Sequence, residues 1–384
     1  MEKLNIVYSV DNNYIQHFVA SLTSLLENYL GESKINIVVI DGGIEVCKKK
    51  FLVELVDKYN ATLSFEKINN EQLNGVNLKG HIAEAAYYRL MIPDLFFDNN
   101  IEKVVYLDCD VIVRDDIRKL WDINIGDCVI GAIKLNEYNG YDKIDVPKDA
   151  HYFNSGVLVI NLDKWRKEQI TRKAFEYIKS YPEKLIAHDQ SILNYLLYDK
   201  WYQINYKWNL RTQLFSLDYK TAGFDNIESF EEVKDNPSIV HFTTASKPWH
   251  YVNNHPFKNE YFYYLDKSEF GYEKYPEKER LFSIDIILFG TGENSKKITN
   301  YLSKFNLGVS LYLDNDNEKD VLFGTKVRRP DYIKQYRREF LIIIASQYKK
   351  EISDQLINLG LLEGIDFIRN IDHIGYNLSS TIDN

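Results

Sequence analysis

Lys103–Val104–Val105–Tyr106–Leu107 runs directly into Asp108–Cys109–Asp110. Side chains alternate along an extended chain, so Asp108 and Asp110 face one way and Cys109 the other. Two carboxylates on one side of a strand end can share a hard divalent cation. A second chemically able group lies far along the chain, in His241–Phe242–Thr243–Thr244–Ala245–Ser246–Lys247–Pro248–Trp249. There too an apolar run ends at the histidine. One imidazole and two carboxylates make a mixed nitrogen and oxygen donor set. That set favours Mn2+, with Mg2+ as the alternative ion. Lys247 offers a point charge for a phosphate. Each feature has a plainer reading. D-x-D triplets arise by chance in acidic chains, His241 is equally a packed histidine, and Lys247 is equally a solvated cation.

Such residues need a scaffold that brings strand ends together. Leu4–Val10, Ile35–Ile40, Leu63–Ile68, Val129–Ile133, Tyr152–Leu162 and Ser238–Phe242 read as strands. Tyr14–Tyr29, a stretch around Phe51–Tyr59, Ala83–Leu95, Trp165–Tyr181 and Gln190–Tyr198 carry apolar residues at helical spacing. Alternation of the two predicts an α/β fold with a mainly parallel sheet, whose ligands sit at the carboxyl ends of the strands. Asp11–Asn12–Asn13–Tyr14 is a polar turn able to cap the first helix. The rhythm breaks at the charge-rich stretch Lys267–Arg280 and restarts at Ile284–Phe289. This predicts a first domain over 1–266, a linker over 267–281 and a small three-layer domain over 282–384.

Composition narrows the function classes. The chain has 384 residues and a net charge of −9, which argues against nucleic acid as a partner. Cys47, Cys109 and Cys128 fall in no metal or disulfide spacing, which suits a reducing cytoplasm. No signal-peptide pattern opens the sequence, and no apolar run approaches the ~20 residues of a membrane span. The expected location is cytoplasmic, with peripheral docking at the inner membrane face as the alternative. Of the 29 Tyr and 20 Phe, most are expected to pack, and some to line a sugar site.

Several ordered motifs then carry a resemblance. They are Ile6–Val7–Tyr8–Ser9–Val10–Asp11–Asn12–Asn13–Tyr14, Tyr88–Arg89–Leu90, Tyr106–Leu107–Asp108–Cys109–Asp110, Tyr152–Phe153–Asn154–Ser155–Gly156 with Ile160–Asn161–Leu162, His188–Asp189–Gln190–Ser191–Ile192–Leu193–Asn194, and His241 to Trp249. Over roughly residues 3 to 265 the chain resembles glycosyltransferase family 8, retaining enzymes of GT-A fold that use a UDP-sugar and Mn2+. The resemblance implies that Asp108, Asp110 and His241 hold the metal and that Lys247 binds the same diphosphate. Ser9, Asp11, Asn13, Tyr14 and Cys109 would line the nucleotide side of the donor. Arg89, Asn154, Ser155, Asp189 and Gln190 would grip the sugar, with Gln190 and Asp189 as the catalytic pair. The rival local readings are a helix cap for Asp189–Gln190 and a structural salt bridge for Arg89. Gln190, an amide, is a poor nucleophile, so front-face displacement is favoured over a covalent intermediate.

Two departures from the family pattern stand out. Thr244 replaces a glycine expected near diphosphate and acceptor, and Ala187–His188 replace larger polar or aromatic residues. His81 sits where the family touches acceptor. A related donor site with a different acceptor is expected: His81, His188 and Thr244 would face a glycan or glycoprotein, and UDP-galactose is favoured over UDP-glucose as donor.

In the last domain Gly290-x-Gly292-x-x-Ser295 follows a strand and opens a helix, and Asp314 ends the next strand. That is the setting of a dinucleotide site, with serine in place of the third glycine. A Rossmann-like structural or interaction module, meeting a protein partner or a second copy, is expected over a nucleotide site. Two rivals to the transferase remain. A sugar-1-phosphate nucleotidyltransferase needs a glycine-rich loop after its first strand, and Val10–Asp11–Asn12–Asn13 has no glycine. A non-catalytic sugar-nucleotide or glycan binder is excluded only by turnover.

Overall fold

A computed structural model describes residues 4–68, 87–96, 101–136, 146–147, 150–184, 188–244, 247–249, 253, 255–271, 283–304, 306–316, 320–363 and 366–369. The chain divides into two compact units, Met1–Thr243 with Asn259–Gly271, and Thr244–Lys258 with Tyr272–Asn384. Among the described residues no helix is long and apolar enough to cross a membrane.

In the first unit, β1 (Asn5–Val10), α1 (Ile15–Glu27), β2 (Ile35–Asp41), α2 (Val46–Val56) and β3 (Ala61–Glu66) repeat the βα rhythm. Next come α3 (Ile92–Leu95), β4 (Lys103–Leu107), β5 (Val111–Val113), α4 (Arg118–Trp121), β6 (Ile130–Ala132) and β7 (Val157–Asn161). They are followed by α5 (Leu162–Lys167), α6 (Ile170–Ser180), α7 (His188–Leu197), β8 (Trp201–Gln203), β9 (Leu210–Arg211), α8 (Ile227–Asp235), β10 (Ile239–His241) and α9 (Lys258–Lys267). The large sheet has the order β3-β2-β1-β4-β7-β6-β8. Strands β3, β2, β1 and β4 run parallel, β7 is antiparallel to β4 and β6, and β8 is parallel to β6. The sheet is therefore mixed, with its parallel half where the βα units predict one. All six residues of β1 are buried, as a strand covered on both faces requires. Val7, Val104, Tyr106 and Leu158 pack with Trp165 of α5 and with Ile192 and Leu193 of α7.

Strand order decides where the site lies. From β1 the chain passes to β2 on one side, while β4 pairs with the other edge. Such a switch point opens a crevice beyond the carboxyl ends of the two strands, here Val10 and Leu107. A second sheet, β5-β10-β9, meets it there. β10 runs antiparallel to β5, with His241 opposite Val111, and parallel to β9, with His241 opposite Arg211.

Three segments depart from the sequence reading. The described part of Ala83–Leu95 is a 3-10 turn, Tyr88–Met91, followed by one helical turn with Pro93 near its start. Proline cannot supply the amide that would continue the earlier turn, so a new one begins. The Trp165–Tyr181 helix breaks at Gln169, which sits in the left-handed region (φ 54°) between α5 and α6. The strand expected over Tyr152–Leu162 begins only at Val157; Phe153 makes an isolated bridge to Lys134. Its polar entry folds instead into a turn, with the Gly156 N–H donating to Asn154 Oδ1 at 3.0 Å.

The second unit contains β11 (Asp285–Phe289), α10 (Glu293–Ser303), β12 (Val309–Leu313), β13 (Val321–Leu322), β14 (Thr325–Arg328), β15 (Phe340–Ile344), α11 (Lys349–Asn358) and β16 (Phe367–Ile368). Its sheet order is β13-β14-β12-β11-β15-β16, parallel apart from the β13–β14 hairpin. Ile286 and Leu288 pack with Leu302 of α10 on one face. Ile287 and Phe289 pack with Ile352 and Leu356 of α11 on the other. The period of two along β11 thus feeds two cores, giving the three layers expected.

Candidate active site

Asp108, at the end of β4, is pinned before any ligand arrives. Its Oδ1 accepts from Arg89 Nη2 and from the Tyr106 hydroxyl, each at 2.8 Å. Its Oδ2 lies 3.7 Å from His241 Nε2, and Asp110 Oδ1 lies 3.2 Å from the same nitrogen. One ligand atom from each of the three residues falls within 4.8 Å of the others. Backbone pairing sets this focus: the Phe242 N–H donates to the Asp110 carbonyl at 3.0 Å, continuing the β5–β10 ladder. Cys109 turns the other way, as alternation requires, and its thiol donates to the Ser9 carbonyl at 3.1 Å. Burial, reinforced by Asp108 and Asp110, raises that thiol's pKa well above the ordinary range.

The surroundings fit a divalent cation. A β-carbon on Gly156 would stand 2.1 Å from His241 Cε1 and 2.6 Å from Asp108 Oδ2. The cradle therefore exists only because residue 156 lacks a side chain. Its donor set, two carboxylate oxygens and one imidazole nitrogen, is borderline in softness and suits a first-row divalent ion.

Arg89 links this focus to a second one. It is buried, with Nη1 donating to the Ser155 carbonyl at 2.8 Å and to Ser155 Oγ at 3.2 Å. Its Nε lies 3.1 Å from Asp189 Oδ2, and the guanidinium stacks 4.6 Å from the centre of the Tyr106 ring. Desolvation opposes the charge, but Asp108 and Asp189 more than restore it and raise the arginine pKa. Asp189 is pushed up to about 6 by burial, with Arg89 pulling it down and Asp108 adding to the rise. The Ser155 hydroxyl donates to Asp189 Oδ2 at 3.1 Å.

Asp189 and Gln190 open α7 just after His188, whose φ of 52° lies in the left-handed region. A non-glycine residue there is strained and turns the chain sharply into the helix. His188 Nδ1 lies 3.1 Å from the Tyr87 hydroxyl, and burial lowers its pKa. Gln190 Oε1 accepts from Asn154 Nδ2 at 3.0 Å and from the Ser155 N–H at 3.2 Å. Asn194, one turn on, clamps Phe153 by both its N–H (2.8 Å) and its carbonyl (2.9 Å).

The structure thus assembles Ser9, Arg89, Asp108, Cys109, Asp110, Asn154, Ser155, Asp189, Gln190 and His241 around the crevice. Asp11 has a structural duty: its Oδ1 accepts from the N–H groups of Asn13 and Tyr14, each at 2.9 Å. Burial raises the pKa of the Tyr14 phenol, with Asp110 adding to the shift. Thr244 and Lys247 belong to the stretch grouped with the second unit. Lys247 Nζ lies 6.0 Å from the centre of the Trp249 ring. His81 and Ala187 lie outside the described residues. Three residues were not singled out by the sequence reading. Gly156 and Tyr106 stood inside quoted motifs, so their neighbours were the signal. Asn209, whose Oδ1 lies 2.9 Å from His241 Nδ1, had none.

In the second unit the Gly290–Gly292 turn opens a cleft of about 630 Å3 at the ends of β11, β12 and β15. Gly290 has φ 120°, and a β-carbon there would meet the Ala345 carbonyl at 3.0 Å. Ser295, at the third-glycine position, is fully buried and donates from Oγ to the Gly290 carbonyl at 2.6 Å. Asp314 accepts from the Thr291 hydroxyl at 2.6 Å and from the Asp316 N–H at 3.0 Å. Among the described residues lining the cleft, the charged ones are Glu293, Asp314, Asp316 and Glu351.

Comparison with known proteins identifies the fold family of the unit that carries this crevice. The model for glycosyl transferase family 8 matches residues 5–253, and that for the C2185-like N-terminal domain matches residues 283–364. General stress protein A of Bacillus subtilis is 36% identical over 274 residues, which cover 70% of this chain and 96% of that protein. A lipopolysaccharide 1,3-galactosyltransferase of Salmonella typhimurium is 29% identical, covering 66% of this chain and 75% of the other. A lipopolysaccharide 1,2-glucosyltransferase of Escherichia coli is 26% identical, covering 68% and 78%. Among solved structures, galactosyltransferase LgtC in complex with donor and acceptor sugar analogues aligns at a TM-score of 0.61 and 27% identity, covering 70% of this chain and 98% of that one. Glycosyltransferase GlyE of Streptococcus pneumoniae, at 20% identity and a TM-score of 0.51, shares the fold over 97% of this chain. With a GT-A core like that of LgtC and the family's ordered motifs in place, the chain belongs to glycosyl transferase family 8.

Proposed function

We propose that the chain transfers a hexose from a UDP-hexose to a hydroxyl of a glycan or glycoprotein acceptor, with retention at the anomeric carbon. The observation that carries this is the meeting of Asp108, Asp110 and His241 at the β1/β4 crevice, tied through Arg89 to Asp189 and Gln190. Asp108, Asp110 and His241 would hold a divalent cation, Mn2+ in preference to Mg2+. When bound, it supplies Lewis-acid neutralisation of the charge on the departing diphosphate. Lys247 binds the same diphosphate as a point charge. Ser9, Asp11, Asn13, Tyr14 and Cys109 form the nucleotide edge. Asn154, Ser155, Asp189 and Gln190 orient the sugar. Arg89, committed to Ser155 and two carboxylates, acts by holding Asp189 in place. The acceptor hydroxyl attacks on the face that the phosphate leaves, and a phosphate oxygen takes its proton. His81, His188 and Thr244 line the acceptor side.

Galactose is favoured over glucose as the transferred sugar. Relatives named for either sugar keep glucose as the second reading. We place the catalytic domain over 1–266, a linker over 267–281 and the add-on domain over 282–384. The add-on is read as a Rossmann-like structural or interaction module, for a protein partner or a second copy of the chain. In support, the charged lining of its cleft is acidic and would repel a pyrophosphate. The enzyme is read as cytoplasmic, with docking at the inner membrane face as the alternative.

Four measurements test these readings. UDP release from UDP-galactose and UDP-glucose with a panel of glycan acceptors should require a divalent ion and be abolished by chelation. Release that persists unchanged in chelator would refute the metal assignment. Gly156→Ala, which drives a β-carbon into His241 and Asp108, should weaken Mn2+ binding by at least about tenfold in calorimetry. Gln190→Ala should lower kcat by about 10²-fold while leaving donor KM nearly unchanged. An unchanged kcat would remove Gln190 from the mechanism. In the second unit, NAD(H) should leave the exchange rate of the Gly292 amide unaltered; protection would make the cleft a nucleotide site.

A further inference from the structure

We infer that Asn209 is a positioning residue at one end of an amide relay, Asn209–Asn154–Gln190. The relay fixes which nitrogen of His241 faces the two carboxylates and which end of the Gln190 amide is left for the sugar. This rests on the active-site reading above and goes beyond it.

The oxygen and nitrogen of a side-chain amide are nearly alike in shape, so its partners must say which is which. Two backbone N–H groups, which can only donate, settle the question here. The Gly156 N–H donates to Asn154 Oδ1 at 3.0 Å, so the other end of that amide is Nδ2. Nδ2 then donates to Gln190 Oε1 at 3.0 Å. The Ser155 N–H reaches the same Oε1 at 3.2 Å, an independent check on the assignment. In the other direction Asn209 Nδ2 donates to Asn154 Oδ1 at 2.8 Å, so Asn209 presents its carbonyl oxygen to His241. That oxygen lies 2.9 Å from His241 Nδ1 and can only accept. Nδ1 is therefore the donor and carries a proton.

Two consequences follow for the chemistry. A neutral imidazole left alone beside Asp110 would gain by placing its proton on Nε2, 3.2 Å from Asp110 Oδ1. That tautomer has no lone pair to offer a cation. Asn209, fully buried just before β9, holds the opposite tautomer and leaves the Nε2 lone pair toward Asp108 and Asp110. At the far end, Gln190 Oε1 already accepts two N–H bonds, while Nε2 has no partner among the described residues. Gln190 thus meets the sugar as an N–H donor and not as an oxygen nucleophile.

The test compares the wild-type full chain with Asn209→Leu and Asn209→Asp, with thermal midpoints confirming folding. Leucine removes both hydrogen bonds. Aspartate keeps the acceptor for His241 but cannot donate to Asn154. Nitrogen NMR of the metal-free wild type, with His241 assigned by its loss in His241→Gln, should show Nδ1 protonated; a ring bare at Nδ1 and protonated on Nε2 overturns the inference without any variant. Asn209→Leu should shift that equilibrium toward Nε2–H and weaken Mn2+ binding about 10- to 100-fold. Asn209→Asp should retain Mn2+ affinity, and a further variant, Asn154→Asp, which cannot donate to Gln190 Oε1, should lose turnover about as far as Gln190→Ala does. A folded Asn209→Leu variant with wild-type Mn2+ affinity, or a folded Asn154→Asp variant with wild-type kcat, overturns the corresponding half of the relay. If the wild type takes up no Mn2+, the metal reading of the site fails, and the NMR assignment alone then decides the relay.

Discussion

Asp108, partly buried, and Asp189, buried, would repel one another at the crevice, and Arg89 is what lets both stay there. It bridges them, at 2.8 Å from one and 3.1 Å from the other. Taking such charges out of water costs several kcal/mol each, and only close, well-bonded partners offset it. The guanidinium fork supplies those partners, spending its remaining donors on Ser155 and its face on Tyr106. One residue thereby couples two chemically different ends. Asp108 is held with one oxygen committed and one turned to His241, while Asp189 is held against the loop that carries Asn154 and Ser155. Removal of Arg89 would leave two carboxylates close together and uncompensated, a loss of about 3–5 kcal/mol by the usual measure of a broken buried pair.

That bridge works only because backbone pairing delivers its members to one place. The β1/β4 switch point opens the crevice and puts Asp108 at its lip. The antiparallel β5–β10 ladder then returns the chain so that His241 lies opposite Val111, one residue past Asp110. Gly156 permits the closest approach, since any side chain there would occupy the space between imidazole and carboxylate. The left-handed turn at His188 brings the first turn of α7 against the same loop. The strained backbone at His188 thus lies beside the crevice, a place where functional sites commonly hold strain.

The legible part of this architecture was whatever the local chain dictates. Mostly apolar runs such as Leu4–Val10 and Val104–Leu107 announce buried strands, and alternation alone turns Asp108 and Asp110 one way and Cys109 the other. What stayed hidden depends on pairing at a distance. β5 is only three residues long and β9 only two, too short to leave a periodic signal, yet they seat Asp110, Asn209 and His241 together. The 3-10 turn at Tyr88–Met91 reads as helix in the sequence because its apolar spacing is the same over so few residues. The turn at Asn154–Gly156 reads as strand in the sequence because its polar residues run straight into a true one. Arg89 carries two meanings in the sequence, sugar contact and salt bridge, and its described contacts include ion pairs with Asp108 and Asp189. Ordered family motifs supplied what spacing could not, by naming His241 as the partner of a carboxylate pair more than a hundred residues before it.

The chain contains two clefts made by the same rule and lined by opposite logic. In each unit a central parallel strand has its successor on one side and a later strand on the other, and the cleft opens beyond their carboxyl ends. In the first, Arg89 bridges Asp108 and Asp189, and His241 meets Asp108 and Asp110, a donor set that fits a divalent cation. In the second, Asp314 is tied to Thr291 and to the Asp316 amide, while Ser295 ties the helix start to the Gly290 carbonyl. The hydrogen bonds that a dinucleotide would exploit there are already partly used within the turn, and the charged residues lining the cleft add only negative potential. Topology therefore locates both clefts, but the side chains at the strand ends decide what each can hold.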